Sequence, residues 1–314
     1  SPARSELVSN APSYDRIFTL LEREFSLRQI AVEVAKLLNP GHNPDLNAHK
    51  TILKLSRTLN GSTRLITTNF DLLFEKCDKK LLSRSRVNLP LFDSEDQNWG
   101  VVHLHGRVKS DYSDIERDGF VLSSAQFGSA YLSHGWARDF IREAFERYVT
   151  VFVGYTADDP PVKYLLEGLQ QGDIRPSPMY AFQADGDDKA KADWELRGVT
   201  PLIFNPADSY RALWRTLEAW ADRAKAPDSW REKVLQHARK GPTQLKPHER
   251  GMVAHIVSSF RGAWALRAQE NPIPAEWLCV FDPLIRYGKR GSAGGLLDQG
   301  QVIDPQVLYP TFPI

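Results

Sequence analysis

Residues 136–154 read WARDFIREAFERYVTVFVG and join a predicted helix directly to the strongest predicted strand of the chain. Phe140, Ala144 and Phe145 fall on one face of the helix, as expected of a helix that packs against a core. VTVFVG at 149–154 is a nearly continuous apolar run, as is typical of a strand. A helix that passes directly into such a strand is typical of α/β proteins with a parallel sheet.

The same alternation of strands and helices continues on both sides of this stretch. Strands are predicted at 64–67, 101–105, 119–123, 179–184 and 200–205, and helices at 72–77, 160–169, 187–198 and 208–224. We therefore predict an α/β fold, in which helices cover both faces of a parallel sheet. Ligands of such sheets usually bind beyond the carboxyl ends of the strands.

Helical regions flank the predicted sheet in the sequence. The periodicity of residues 13–60 predicts a small helical insertion before the first strand. Helical patterns return after residue 226, so we predict one domain at 1–226 and part of a mostly helical C-terminal region at 227–314. Trp264 and Trp277 in that region could serve a core or an interface, and a core is the commoner use.

Composition excludes several classes of protein. Of the 314 residues 42 % are apolar and 25 % are charged, which supports a folded core, and the net charge of +1 gives no sign of nucleic-acid binding. The only cysteines, Cys77 and Cys279, are far apart, which argues against a disulfide framework or a zinc site of paired CxxC motifs. Neither a membrane span nor a signal peptide is recognisable, so a cytoplasmic location is expected.

Polar residues cluster directly after the first predicted strand, in TTNFD at 67–71. Asn69 can donate and accept hydrogen bonds, and Asp71 can hold a hydroxyl or an amide. The same residue types also begin helices, and the local pattern by itself favours a helix cap.

A second cluster, HLHG at 103–106, ends the next predicted strand. Strand alternation predicts that His103 and His105 share a face, with His105 nearer the strand end and Gly106 allowing a substrate to approach the backbone. A histidine there could act as a general base. A third metal ligand with suitable spacing is not evident, and a core histidine bonded to the backbone is an alternative, especially for His103.

A third cluster, VGYTADDPP at 153–161, follows the strand of the opening stretch. A strand, a glycine, a polar turn and a proline-started helix could bind a ribose or a phosphate. An ordinary strand-to-helix loop would use the same residues. Neither GxGxxG nor GxxxxGK[ST] occurs in the chain, so neither common phosphate-binding motif supports the first interpretation.

Taken together and in this order, the three clusters resemble the motifs TTNxD, HxHG and VGYSxxDPPV of the sirtuin-like family. The resemblance covers about residues 10–225 and is greatest to the sirtuin-like NADase domains of bacterial antiphage defence proteins. Three motifs in order, each at a strand end, favour a ligand site over a mere cap after the first strand. The resemblance implies a Rossmann-like sheet that binds NAD+.

The resemblance also implies roles for individual residues. Asn69 matches the asparagine that positions the nicotinamide ribose and the attacking water, Asp71 the aspartate on the nicotinamide side, and His105 the catalytic base. The remaining motif positions are predicted to line the NAD+ site: Thr67, Thr68, Phe70, His103, Gly106, Gly154, Tyr155, Thr156 and Asp158.

Two features of the family's deacetylases are missing from the sequence. No cysteine occurs between residues 106 and 153, where deacetylases carry a four-cysteine zinc ribbon, so we expect no zinc and favour water as the nucleophile. The opening motif GAGxS, which should precede the helix at Tyr14, is also missing. This suggests either a truncated chain or a weakened site for NAD+.

We therefore predict an NAD+ hydrolase that forms nicotinamide and ADP-ribose and serves as an abortive-infection effector against phage. A catalytically weak sensor or assembly module that binds NAD+ or ADP-ribose is the alternative, and an NAD-dependent protein deacylase is less favoured. The resemblance further implies a homo-oligomer, with a partner ATPase or a phage-derived trigger, and no membrane partner. The region after residue 226 would then serve assembly or phage sensing.

Overall fold

The computed structural model describes residues 1–8, 14–58, 60–93, 98–157, 159, 166 and 176–281. The chain divides into two compact units, Ser1–Leu217 and Glu218–Ile314. The predicted helix at 160–169 lies outside the described residues except for Leu166, and so does Asp158.

Four helices open the first unit, and three of them confirm the helical prediction for residues 13–60. They are α1 (Pro2–Leu7), α2 (Tyr14–Leu21), α3 (Leu27–Leu37) and α4 (Asn47–Leu55). Ser26 caps α3, because its hydroxyl accepts a hydrogen bond from the backbone of Gln29 while the Gln29 side chain accepts from the Ser26 backbone. The buried face of α3, Ala31 and Ala35, packs in a cluster with Val108, Tyr112 and Phe120.

In the described part of the chain, six parallel strands form two three-stranded sheets. The strands are β1 (Arg64–Thr67), β2 (Ser83–Arg84), β3 (Gly100–His103), β4 (Thr150–Phe152), β5 (Met179–Ala184) and β6 (Val199–Phe204). The first sheet has the order β1-β3-β2 and the second the order β4-β5-β6. The predicted α/β class and parallel pairing are therefore confirmed, with the strands divided between two sheets.

Helices connect and cover these strands. The first unit continues with α5 (Leu73–Cys77), α6 (Ser124–Gly128), a π-helical turn (Ser129–Ser133), α7 (Trp136–Arg147), α8 (Asp188–Leu196) and α9 (Ala207–Lys225), in which the division between the units falls. The core under the sheets includes Val102, Leu104, Phe140, Phe145 and Trp194. Helix α7 and Phe152 of β4 belong to this core, whereas Val149 and Val151 are 61 % and 44 % exposed, so the apolar run at 149–154 is not buried throughout.

The strand predicted at 119–123 is wrong. Gly119 has a φ of 73°, and the single backbone bond that ties the segment to HLHG runs from the Val121 N–H to the His105 carbonyl. Ser123 then caps α6, since its hydroxyl accepts from the backbone of Gln126. The apolar residues Phe120 and Leu122 pack in the cluster that contains Ala31 and Ala35 of α3, and not in a sheet.

The second unit is helical where it is described. It contains α10 (Pro227–Lys240), α11 (Pro247–Val257), α12 (Phe260–Arg267) and α13 (Leu278–Phe281). Trp277 is 1 % exposed, and its indole N–H donates to the Ala238 carbonyl over 2.8 Å, which confirms a core role. Trp264 is 55 % exposed, so the core role does not extend to it. No helix in the described part of the chain is long and apolar enough to cross a membrane.

Candidate functional site

The first two motifs meet at one edge of the first sheet. Thr67 lies opposite His103 in the parallel register of β1 and β3. TTNFD and HLHG therefore lie at the carboxyl ends of two neighbouring strands. This is the edge at which open α/β sheets bind their ligands.

Short-range hydrogen bonds shape the TTNFD segment. The Thr67 hydroxyl accepts from the Asn69 N–H over 3.1 Å, and the Asp71 carboxylate accepts from the Leu73 N–H over 3.0 Å, at the start of α5. The N-cap position of α5 is Leu72, without a side-chain cap, so Asp71 supports the helix start from the position before it. Phe70 packs against Phe120, whereas the Asn69 side chain is exposed at the edge.

His103 is a fully buried core histidine. Its Nδ1 lies 3.0 Å from the Asn69 carbonyl oxygen, and its Nε2 lies 2.7 Å from the Glu75 carboxylate. Both partners are acceptors, so both ring nitrogens of His103 are occupied by contacts within the fold. Burial would raise the pKa of Glu75, but the hydrogen bond and charge of His103 outweigh it and hold that pKa below its usual value.

A polar network extends from this pair. Ser83 donates to the Glu75 carboxylate, Arg107 contacts the Ser83 hydroxyl, and the Arg107 guanidinium donates to Glu116 over 2.9 Å. Glu75, Ser83 and Arg107 were not among the predicted site residues, although His103 was, because Glu75 reads as an ordinary acidic residue in the first turn of a helix. The network fixes the position of His103, and the contact from His103 fixes the backbone of Asn69 at the sheet edge.

His105 lies in the turn after β3 and is only 4 % exposed. Its Nε2 lies 2.7 Å from the Tyr131 hydroxyl, and the rings of Phe127 and Tyr131 meet it edge to face. Burial lowers the pKa of His105 to about 3. A neutral imidazole at this position has the protonation state that a proton acceptor requires.

A cavity of about 280 Å³ adjoins His105 and Gly106. Its walls are mostly apolar, and among its polar groups is Asp118, one of whose carboxylate oxygens is buried without a hydrogen-bond partner. Gly106 has a φ of 89°, and a Cβ there would lie 2.0 Å from the Gly119 carbonyl oxygen. The Gly119 carbonyl therefore packs closely against the Gly106 backbone. The sequence had suggested that a substrate would approach the backbone there.

The third motif reaches the first through one hydrogen bond. The Tyr155 hydroxyl and the Thr68 hydroxyl are 2.8 Å apart, which links the ends of β4 and β1. Gly154 has a φ of 78° with open space where a Cβ would stand, so its backbone is accessible. Thr156 is exposed, and its N–H donates to the Asp159 carboxylate over 3.0 Å.

Tyr131 is a second residue that the sequence did not point to. It lies in the π-helical turn rather than at a strand end, so no motif marks it. Burial raises the pKa of Tyr131, and the neighbouring Tyr155 raises it further. Within the described ranges, no three His, Cys, Asp or Glu side chains come together as a possible metal site.

We expect the stability of the fold to fall on mild acidification. The folded-state pKa of His105 lies below the unfolded value of 6.5, so the unfolded chain takes up a proton first and stability is lost as the pH falls from 6.5 towards about 3. At pH 5 the loss should be roughly 2 kcal/mol. The depressed pKa of Glu75 acts in a lower window, below 4.5.

Urea denaturation at pH 7.5 and pH 5 measures this effect. Burial also lowers the pKa values of His237 and His255, so the contribution of His105 is the difference between the wild type and His105→Gln. An equal loss of stability in both proteins would contradict the prediction.

Comparison with known proteins agrees with the geometry of this edge. The family model described as "SIR2-like domain" matches residues 63–202, which span all three motifs. The protein named "Uncharacterized protein y4cA" of Sinorhizobium fredii is 33 % identical over 309 residues, which cover 90 % of this chain and 25 % of that protein. The chain thus spans about a quarter of the length of this relative.

Proposed function

We propose, from the sirtuin-like domain that residues 63–202 form, that this chain hydrolyses NAD+ to nicotinamide and ADP-ribose. SIR2-like domains bind NAD+, and the chain is compatible with an NAD-utilising enzyme. The observation that carries the proposal is the register of β1 and β3, which brings Asn69 and His105 to one sheet edge. Tyr155 brings the third motif to the same place through Thr68.

The reaction needs groups that stabilise the charge that develops at the ribose. Breaking the bond between nicotinamide and ribose develops positive charge at the anomeric carbon and releases a neutral nicotinamide. Water then adds to that carbon and must lose a proton. A neutral base and a group that orients water, both fixed beforehand, lower the barrier to this step.

The proposed roles follow from the surroundings of each side chain. His105 would accept the proton, either from water or through a ribose hydroxyl, since burial keeps it neutral near pH 7. The exposed Asn69 amide would orient water and the nicotinamide ribose. His103 would act through Asn69 rather than on the substrate, because both of its nitrogens are already hydrogen-bonded.

The remaining contacts to NAD+ are proposed on the same basis. Asp71 would support the nicotinamide side in addition to its turn contact with Leu73. The accessible backbone of Gly154, with Tyr155 and Thr156, would line the adenosine ribose. Thr67, Thr68, Phe70, Gly106 and Asp158 keep the lining roles that the resemblance implies.

We expect the chain to release nicotinamide and ADP-ribose in equal amounts from NAD+, as chromatography of the products would show. Calorimetry with NAD+ should accompany the assay. Binding without either product would instead support the sensor or assembly module. Nicotinamide release that depends on an added acetyl-lysine peptide would support a deacylase.

The biological setting is part of the same proposal. NAD+ depletion in the cytoplasm of a phage-infected cell would be the effect of the reaction. The helical C-terminal unit would contribute to homo-oligomer assembly or to sensing, together with a partner ATPase or a phage-derived trigger. Mass measurement in solution, with and without NAD+, tests the oligomer.

A further inference from the structure

We infer that Tyr131 is a positioning residue that holds His105 as the neutral tautomer with its proton on Nδ1. The inference has a structural part, which concerns the imidazole alone. Its effect on catalysis rests on the proposed NAD+ hydrolysis. The two parts can be tested separately.

The contacts around the imidazole hold the ring in one orientation. The Tyr131 hydroxyl lies 2.7 Å from His105 Nε2, and the two ring planes are 83° apart with centroids separated by 5.8 Å. Phe127 meets the imidazole from another side, with centroids 5.2 Å apart. The ring is thus fixed by two aromatic contacts, and its Nε2 has a partner.

The direction of the hydrogen bond follows from the chemistry of the pair. A phenol that is buried, with its pKa raised, stays protonated and can donate. A neutral imidazole has one nitrogen that donates and one that accepts. With Tyr131 donating to Nε2, the proton of His105 resides on Nδ1.

Tyr131 also connects the three motifs. It packs on the same core as Leu104 of HLHG and Tyr155, and Tyr155 is close enough to act on its phenol. Tyr155 in turn is hydrogen-bonded to Thr68. The phenol of Tyr131 therefore lies where the turns after β1, β3 and β4 approach one another, although it comes from none of them.

The other charged groups near His105 line the adjoining cavity. They are Glu22 after α2, Arg86 before β3 and Asp118 before Gly119. The pKa of His105 is lowered by burial, and none of these charges contributes to the shift. The Tyr131 hydroxyl occupies the space beside Nε2, so its loss would admit water there and lessen the burial that lowers the pKa of His105, and that pKa would rise.

The same hydroxyl suits both states of a base. Tyr131 donates to Nε2 while His105 is neutral. When the attacking water loses its proton, Tyr131 can take up that proton while it passes its own proton to Nε2, and its oxygen then accepts a hydrogen bond from the imidazolium. The phenol is neutral before and after, and only His105 changes its charge.

Nitrogen NMR of histidine-labelled protein tests the structural part without NAD+. We expect His105, assigned by its absence in His105→Gln, to show a protonated Nδ1 and an unprotonated Nε2 at pH 6 in the wild type. In Tyr131→Phe it should take up a proton at a pH about one unit higher or more. Tyr148→Phe, which removes a phenol from the same core, is the matched control and should leave His105 unchanged.

Steady-state kinetics test the catalytic part. In Tyr131→Phe we expect kcat to fall about 3- to 10-fold, as for the loss of one hydrogen bond, with KM unchanged. The acidic limb of the kcat profile should move to higher pH, which a merely structural defect would not cause.

Each failure has its own meaning. An imidazole that keeps its tautomer and titration in Tyr131→Phe, or a wild type with its proton on Nε2, overturns the inference. A rise in kcat for Tyr131→Phe also overturns it, because Tyr131 would then obstruct His105. If the wild type shows the expected tautomer but no hydrolysis, the proposed function fails while the assignment of Tyr131 stands.

Discussion

Replacement of His105 by alanine should lower the rate of nicotinamide release from NAD+ by about 10²–10⁴-fold, the usual cost of losing a general base. His105 is the neutral, buried imidazole at the sheet edge, and the cavity of about 280 Å³ adjoins it. His103 lies at the same edge, but both of its ring nitrogens already have hydrogen-bond partners. Chromatography of nicotinamide under single-turnover conditions gives the rate of the chemical step.

A matched pair of variants separates chemistry from folding. Alanine leaves the Tyr131 hydroxyl without its partner, whereas His105→Gln retains an amide that can accept from it. Both should lose activity, with His105→Gln nearer to wild-type stability. His42→Ala, at an exposed position away from the sheet edge, should behave as the wild type. Full activity in His105→Gln would remove His105 from the mechanism.

Replacement of Glu75 by leucine should lower the free energy of unfolding by about 2–3 kcal/mol. His103 is 0 % exposed, so loss of the carboxylate leaves its Nε2 buried without a hydrogen-bond partner. Ser83 also loses its hydrogen bond to the Glu75 carboxylate, and Arg107 contacts the Ser83 hydroxyl. Urea denaturation above pH 6.5, where both Glu75 and His105 are in their native charge states, measures the loss.

Glu75→Gln is the control for this prediction. Its amide oxygen can still accept from His103, so most of the effect should be recovered and the cost should be about 1 kcal/mol. We also expect slower NAD+ hydrolysis in Glu75→Leu, because the His103 contact to the Asn69 carbonyl would be weakened. A Glu75→Leu protein as stable as the wild type would show that the network does not support the sheet edge.

Much of the first unit could be predicted because its signals are local. The strand at Met179–Ala184 and the helix at Trp136–Arg147 follow from a short apolar and aromatic run and from apolar spacing, which depend only on neighbours in sequence. The segment at 119–123 has the same apolar composition as a strand. It failed as a prediction because a positive φ at Gly119 and the Ser123 cap turn it towards α6.

The partners of the two histidines could not be predicted in this way. Glu75 reaches His103 across 28 positions of sequence, and Tyr131 reaches His105 across 26. Neither residue stands at a strand end or in a motif. Their pairing depends on where α5 and the π-helical turn pack against β3, which no local pattern encodes.

The sequence by itself determined that this is an α/β protein with three sirtuin-like motifs at strand ends, because periodicity and motif order are properties of short segments. Only the tertiary structure decided what each histidine does. His103 and His105 are two residues apart and alike in sequence, yet one faces two acceptors and supports the backbone of Asn69, while the other faces a phenol and apolar rings and is neutral. The charge of a buried imidazole is set by the groups that fold around it.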